Sequence, residues 1–391
     1  MGVTLSGTVS TNSAAVTLGA TAKTLTLAND AVINTYADAG LGGAITISGP
    51  IQATSAGSQS LSLASKGGAV TLSGVIGSTA KLNVLTLGDA NQTGTITVHG
   101  TIVANTLTTG ASTGSNAFDV TLSNLATVAG TTTISNAATF YNTGTIRFGD
   151  YYSDAFNFLG GVSADASSAI TVNAAEMNTT ASAISLNSPT TFENSITLSP
   201  GVGQITLGQA TVNPGATLTL GAGEATPVTL SSIAGTSGVK SNITINTTDA
   251  VMVSGTIGTN IGTFTVANTG SIAFNGSVSG TSDRITSLII SAGTGVIEFA
   301  NNLYAAAMSN AGGSAEIKFY GSTTDITSAV TLNTTGAVYY GDATTDTPTF
   351  TRGITHDTGN TSCWVRLLLL IHLPAQRALL ARSTWAVQLP S

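Results

Sequence analysis

Apolar and hydroxyl-bearing residues alternate along most of this chain in one three-residue unit: apolar, Thr or Ser, apolar. It appears as Val16-Thr17-Leu18, Ile45-Thr46-Ile47, Leu61-Ser62-Leu63, Val70-Thr71-Leu72 and Ile96-Thr97-Val98. It continues through Val120-Thr121-Leu122, Ile170-Thr171-Val172, Ile205-Thr206-Leu207, Ile243-Thr244-Ile245 and Val330-Thr331-Leu332. Successive side chains of a strand point to opposite faces, so each unit predicts a short strand with two apolar residues inward and the hydroxyl outward. Val, Ile and Thr suit such a half-buried pleated surface. Clusters such as Gly40-Leu41-Gly42-Gly43 and Gly235-Thr236-Ser237-Gly238 separate the units and supply turn conformations. No apolar stripe of helical period is sustained before residue 360. The stretches Asn173–Met177 and Leu303–Met308 read as loops or a single helical turn.

A longer repeat overlies the short one. Residues 130–165 return as 322–357, 192 positions later, without a gap and with 13 of 36 positions identical. The shared residues include Gly149/Gly341, Asp150/Asp342, Asp154/Asp346, Phe158/Phe350, Gly161/Gly353 and Asp165/Asp357. Strand units spaced this way within a long repeat predict an all-β parallel solenoid, in which each coil stacks on the last around a continuous apolar core. Irregular coils of roughly 20 residues would place about 18 coils in residues 1–360, a rod ~85 Å long. The aromatics Tyr141, Tyr151, Tyr152 and Phe156 become Asn333, Ala343, Thr344 and Pro348 in the second copy. What the copies keep is turn and core residues, which marks a duplicated scaffold. Tyr151 and Tyr152, present only in the first copy, remain as a candidate partner contact.

Composition narrows the picture. Only 7% of the residues are charged, whereas Thr (68), Gly (45) and Ser (42) abound. Hydroxyls, not charges, keep this surface wet. The net charge is −7 and no basic stripe occurs, so a nucleic-acid partner is not expected. Cys363 is the only cysteine, so no internal disulfide forms. No apolar run approaches the ~20 residues of a spanning helix, and the N-terminal residues carry no secretory signal pattern. At about residue 361 the composition changes. The tail 361–391 holds Trp364, Trp385, Cys363 and the run Leu367–Ile371. It reads either as a membrane or docking segment with an amphipathic helix over Ala375–Arg382, or as sequence foreign to the fold through a frame error or truncation.

Candidate chemistry is sparse. Gly110-Ala111-Ser112-Thr113-Gly114 fits the spacing of a nucleophile elbow, but no helix is predicted after it, and a surface turn is expected. His99, His356 and His372 lack metal-ligand spacing. Asp150, Asp154, Asp342 and Asp346 could bind Ca²⁺ through carboxylates, although Asp caps of tight turns explain them more simply. Neither a catalytic residue nor a cofactor site is assigned. Pairs such as Thr217-Leu218-Thr219 and Thr263-Phe264-Thr265 raise ice or carbohydrate-surface binding, which needs outward Thr pairs stacked in a flat file over about six coils. A polysaccharide-cleaving solenoid needs a groove with two carboxylates within about 10 Å.

The motifs GTITV (94–98), SGTIG (254–258), TGSIAFNGSVSG (269–280) and ITLGQATVNPGATLTLGAG (205–223), with the GDxxxDxxxFxxG echo, resemble a known class. It is the repeat regions of filamentous-haemagglutinin-like exoproteins and autotransporter passenger domains of bacteria. The resemblance covers about residues 1–360. It implies a right-handed parallel β-helix, exported to the bacterial cell surface or beyond. The implied role is non-enzymatic adhesion, aggregation or biofilm formation. The implied partners are a host-cell, surface or matrix ligand, or further copies of itself. The chain lacks the export and translocator segments of that class, so it is expected to be a fragment.

Overall fold

The computed structural model describes residues 2–36, 41–114, 116–125, 128–291, 293–356 and 361–363. The tail from Trp364 onward, with His372 and the helix expected over 375–382, lies outside the described residues, as does Asp357. The described residues contain 38 strands and no helix. Every named strand pairing is parallel, and the chain winds as a β-solenoid of about 15 turns.

Three faces build each turn. On the first face Val16, Ile45, Val70, Ile96, Val120, Ile146 and Ile170 stack in register. On the second, Ala155, Glu176, Thr197, Thr219, Thr244 and Thr265 follow one another. On the third, Ser62, Thr86, Thr108, Thr139, Ser163 and Ser185 do so. Each triplet predicted from alternation lies in a strand. In most of them both apolar residues are buried and the hydroxyl is half-exposed, as in Ile45–Ile47 and Val120–Leu122.

The coils average about 23 residues rather than 20. Partners along the first face lie as close as Ile170 and Thr190, or as far apart as Val16 and Ile45. The difference is in the corners, where loops lengthen the turn without adding a layer. About fifteen turns at ~4.8 Å give a rod of ~70 Å. Two local expectations are corrected. Glu176–Asn178 and Leu303–Asn310 are strands, not loops or helical turns. Leu303, Ala305 and Met308 are buried, so LYAAAM is a core-facing strand whose short Ala side chains hid its alternation.

The interior is one apolar cluster running the length of the rod. Its distal half carries an aromatic column. Phe274 and Phe299 stack at 4.9 Å between centroids, Phe299 and Phe319 at 5.6 Å, and Phe319 and Tyr340 at 5.8 Å, nearly parallel throughout. Identical coil spacing brings side chains from successive turns to stacking distance. At some corners a polar side chain enters the interior and serves the backbone. The Gln92 carboxamide oxygen accepts the Ser65 N–H at 2.9 Å, and its amide donates to Gly94 O at 2.9 Å. The buried Asn116 accepts from Ala111 N and donates to Ala111 O, closing that corner.

Candidate functional site

The long repeat is reproduced strand for strand. Thr131–Ile134, Ala138–Phe140, Thr145–Phe148 and Ala155–Phe158 of the first copy correspond to Thr323–Ile326, Val330–Leu332, Val338–Tyr340 and Thr347–Phe350 of the second. The turn is also reproduced. Gly149 and Gly341 have φ of 76° and 80°, a conformation that a side chain disfavours.

Asp154, fully buried, accepts the N–H groups of Gly130 at 2.9 Å and of Asp150 and Tyr151 at 3.2 Å. Asp346 accepts those of Asp342 and Ala343, both at 2.9 Å. These two carboxylates therefore tie the turn. Among the described residues no group of three His, Cys, Asp or Glu side chains is placed to hold a metal ion.

The copies do not face the same way. From Thr131, register partners run through Ala155, Glu176, Thr197, Thr219, Thr244, Thr265, Ile289 and Ser309 to Thr331, nine steps in all. Thr331 lies in Val330–Leu332, whereas the sequence equivalent of Thr131 is Thr323, one face earlier. The 192-residue repeat thus spans about eight and two-thirds turns, and the second copy is rotated by a third of a turn. A duplicated site would point in a different direction, whereas a turn-and-core module works on any face.

Burial is the larger influence on Asp154 and holds its carboxyl above the ordinary Asp value. The three N–H donors pull it down without cancelling that effect. Between the ordinary and the raised value the folded chain keeps a proton that the unfolded chain has released. This group therefore makes stability fall as pH rises through that window. Asp154→Asn replaces an acceptor with a donor facing N–H groups, so it is expected to cost ~1–3 kcal/mol at neutral pH. Urea unfolding of both proteins at neutral pH and near pH 4 checks this, and the advantage of the wild type should widen on acidification.

Other sequence candidates disperse. Ser112 lies in an exposed turn with no helix after it, and His99 is exposed at a strand end. Phe156 belongs to the core. Tyr151 and Tyr152 touch at 4.6 Å between centroids on the turn after Thr145–Phe148, with Tyr152 60% exposed. The hydrogen bond with Tyr152 raises the Tyr151 phenol above its ordinary value.

The outward files are more informative than any single residue. The third face presents Ser62, Thr86, Thr108, Thr139, Ser163, Ser185, Thr206 and Thr229 on consecutive turns, without a break. The first face presents Thr17, Thr46, Thr71, Thr97 and Thr121, then Arg147, which pairs with Glu193 at 2.7 Å. The file of Thr pairs does not form, because Thr217-Leu218-Thr219 lies against Asn242-Ile243-Thr244.

Beyond Thr229 the third face changes character. Its outward file becomes Met252, Ala273, Glu298, Lys318 and Tyr339. Lys318 pairs with Glu316 at 3.0 Å and sits 5.8 Å from the ring centres of both Tyr320 and Tyr339. The Glu316 hydrogen bond, above all, raises the Lys318 ammonium above its ordinary value. The sequence reading missed this cluster. Its signal was a change in the middle residue of the triplets, from hydroxyl to charged or aromatic, in Ile297-Glu298-Phe299, Ile317-Lys318-Phe319 and Val338-Tyr339-Tyr340. Alternation turns these residues outward, but only the coil register aligns them.

Fold and faces together define a charge-poor parallel β-solenoid with hydroxyl-lined sides. Compared with protein families, curated proteins and solved structures, the chain matches none of them. Among the described residues no helix is long and apolar enough to cross a membrane.

Proposed function

We propose that the chain is a non-enzymatic structural and adhesive segment of a secreted or surface-displayed bacterial repeat protein. The observation that carries this reading is the rotated repeat. The second copy preserves turns, core and coil pairing but neither the direction of the first nor its Tyr141, Tyr151 and Tyr152. The selection such a duplication reflects is for length and rigidity of a rod. Rigid, hydroxyl-covered, charge-poor rods hold binding surfaces away from a cell, and they meet surfaces or other copies laterally. Full-length chain displayed on a laboratory bacterium should raise autoaggregation or attachment to epithelial cells and abiotic surfaces several-fold. Display with no change in either property counts against the proposal.

The eight-turn Ser/Thr file of the third face favours a second reading, binding to ice or to a crystalline carbohydrate surface. Ice-recrystallisation assays, and a cellulose pull-down that survives Tyr339→Ala but is lost on Thr108→Tyr in this file, separate it from the first. The enzymatic alternative calls for a pair of carboxylates on the outer surface. Glu298 and Glu316 lie diagonally on adjacent strands, roughly 8 Å apart at their backbones by strand geometry. Lys318 engages Glu316, so this pair lacks the independence of an acid and a base.

A further inference from the structure

We propose that the distal third face, from Met252 to Tyr339, binds a neutral oligosaccharide chain lying along the rod axis. This deepens the adhesive reading above and rests on it. The file holds two adjoining parts. One is a shallow trough in which the small Ala273 lies between Met252 and Glu298, walled by Pro227 and Val296. The other is a platform of Tyr320 and Tyr339, whose rings meet edge to face at 6.4 Å between centroids around the Lys318 ammonium.

Each part matches a feature of a sugar. The negatively polarised faces of tyrosine rings attract the polarised C–H groups of a pyranose. Carboxylates accept hydrogen bonds from hydroxyls, and the ammonium donates to them. The charges favour a neutral ligand. Glu298 and Glu316 outnumber Lys318, which Glu316 already engages, so the patch carries one net negative charge, which repels an anionic chain and is too little to hold a polycation by charge alone. A peptide is the poorer fit, because strand addition needs a free sheet edge. Here the backbone of every coil in the patch is already bonded to the coils on either side. The four steps from Met252 to Tyr339 extend ~19 Å along the axis, a length suited to a chain rather than to one sugar.

The test is titration calorimetry of the full chain with cellohexaose, chitohexaose, maltohexaose and laminarihexaose, alongside Tyr339→Ala, Tyr320→Ala and Glu298→Gln. At least one hexasaccharide should bind. Each tyrosine substitution should weaken that binding about tenfold or more. Tyr339→Phe, which keeps the ring, should retain most of it, and Tyr141→Ala, far from the patch, all of it. Unchanged melting curves of the variants exclude a folding defect. Binding of none of the four, or binding that survives both tyrosine-to-alanine changes, overturns the proposal. A chain that adheres when displayed yet binds no hexasaccharide sinks this inference and spares the adhesive reading. A hexasaccharide bound and then cleaved sustains the patch and sinks the non-enzymatic reading.

Discussion

Ile146→Asp is expected to unravel the middle of the rod. Ile146 lies on the first face between Val120 and Ile170, with 1% of its surface exposed. The solenoid offers no alternative place for the side chain, since a one-residue slip would turn Phe148 out with it. The carboxylate would enter an interior of Val, Ile and Phe with no partner, or take up a proton to stay there. The expected cost is at least ~4 kcal/mol. Each coil relies on its neighbours, so the damage should be regional rather than global. Hydrogen exchange should show protection lost first in Val120–Leu122, Thr145–Phe148 and Ala169–Val172, with the distal coils affected last. Val338→Asp should give the same result around Glu316–Phe319. Full protection in either variant would mean that the inward positions are wrongly placed.

Phe299→Ala is the second large effect. Phe299 has no exposed surface and stacks between Phe274 and Phe319, at interplanar angles of 3° and 5°. Removing the ring takes away the transfer free energy of a buried aromatic. It also opens a void that rigid coils on both sides cannot collapse into. The expected loss is ~3–5 kcal/mol for the coils it joins, read as a lower urea midpoint for a probe in the distal half. Phe299→Leu refills part of the space and should recover a large share. The effect should be larger than at Phe192, which forms none of the ring contacts seen along this column, although both residues are fully buried.

Much of this architecture was legible from the chain. Alternation at Ile45-Thr46-Ile47 or Ile205-Thr206-Leu207 dictates which side chains go inward, and period-two patterning has only one structural meaning. The Gly149–Asp154 turn was legible too, because few residues suit a left-handed corner closed by a carboxylate. Coil length was not. The coil from Val16 to Ile45 is long and that from Ile170 to Thr190 is short, and the loop residues at their corners carry no periodicity that reports their excursion. The strand Leu303–Asn310 escaped because alanine serves equally well inside and outside. The distal third-face cluster was illegible for a deeper reason. Glu298, Lys318 and Tyr339 are some twenty residues apart, and only knowledge of every intervening coil length makes them neighbours. The third-of-a-turn rotation of the repeat follows from the same lengths.

The most direct test of the stacked three-faced solenoid is a set of spin-label distances along one outward file. In a Cys363→Ser background, a label at Thr46→Cys is paired in turn with labels at Thr171→Cys, Thr191→Cys and Thr211→Cys. These lie five, six and seven steps away on the first face. The solenoid predicts mean separations of ~24, ~29 and ~34 Å, rising by one coil spacing of ~4.8 Å at each step. Separations that fail to rise together, or that scatter without order, would contradict the stacking of coils on which the fold, the rotated repeat and the proposed faces all depend.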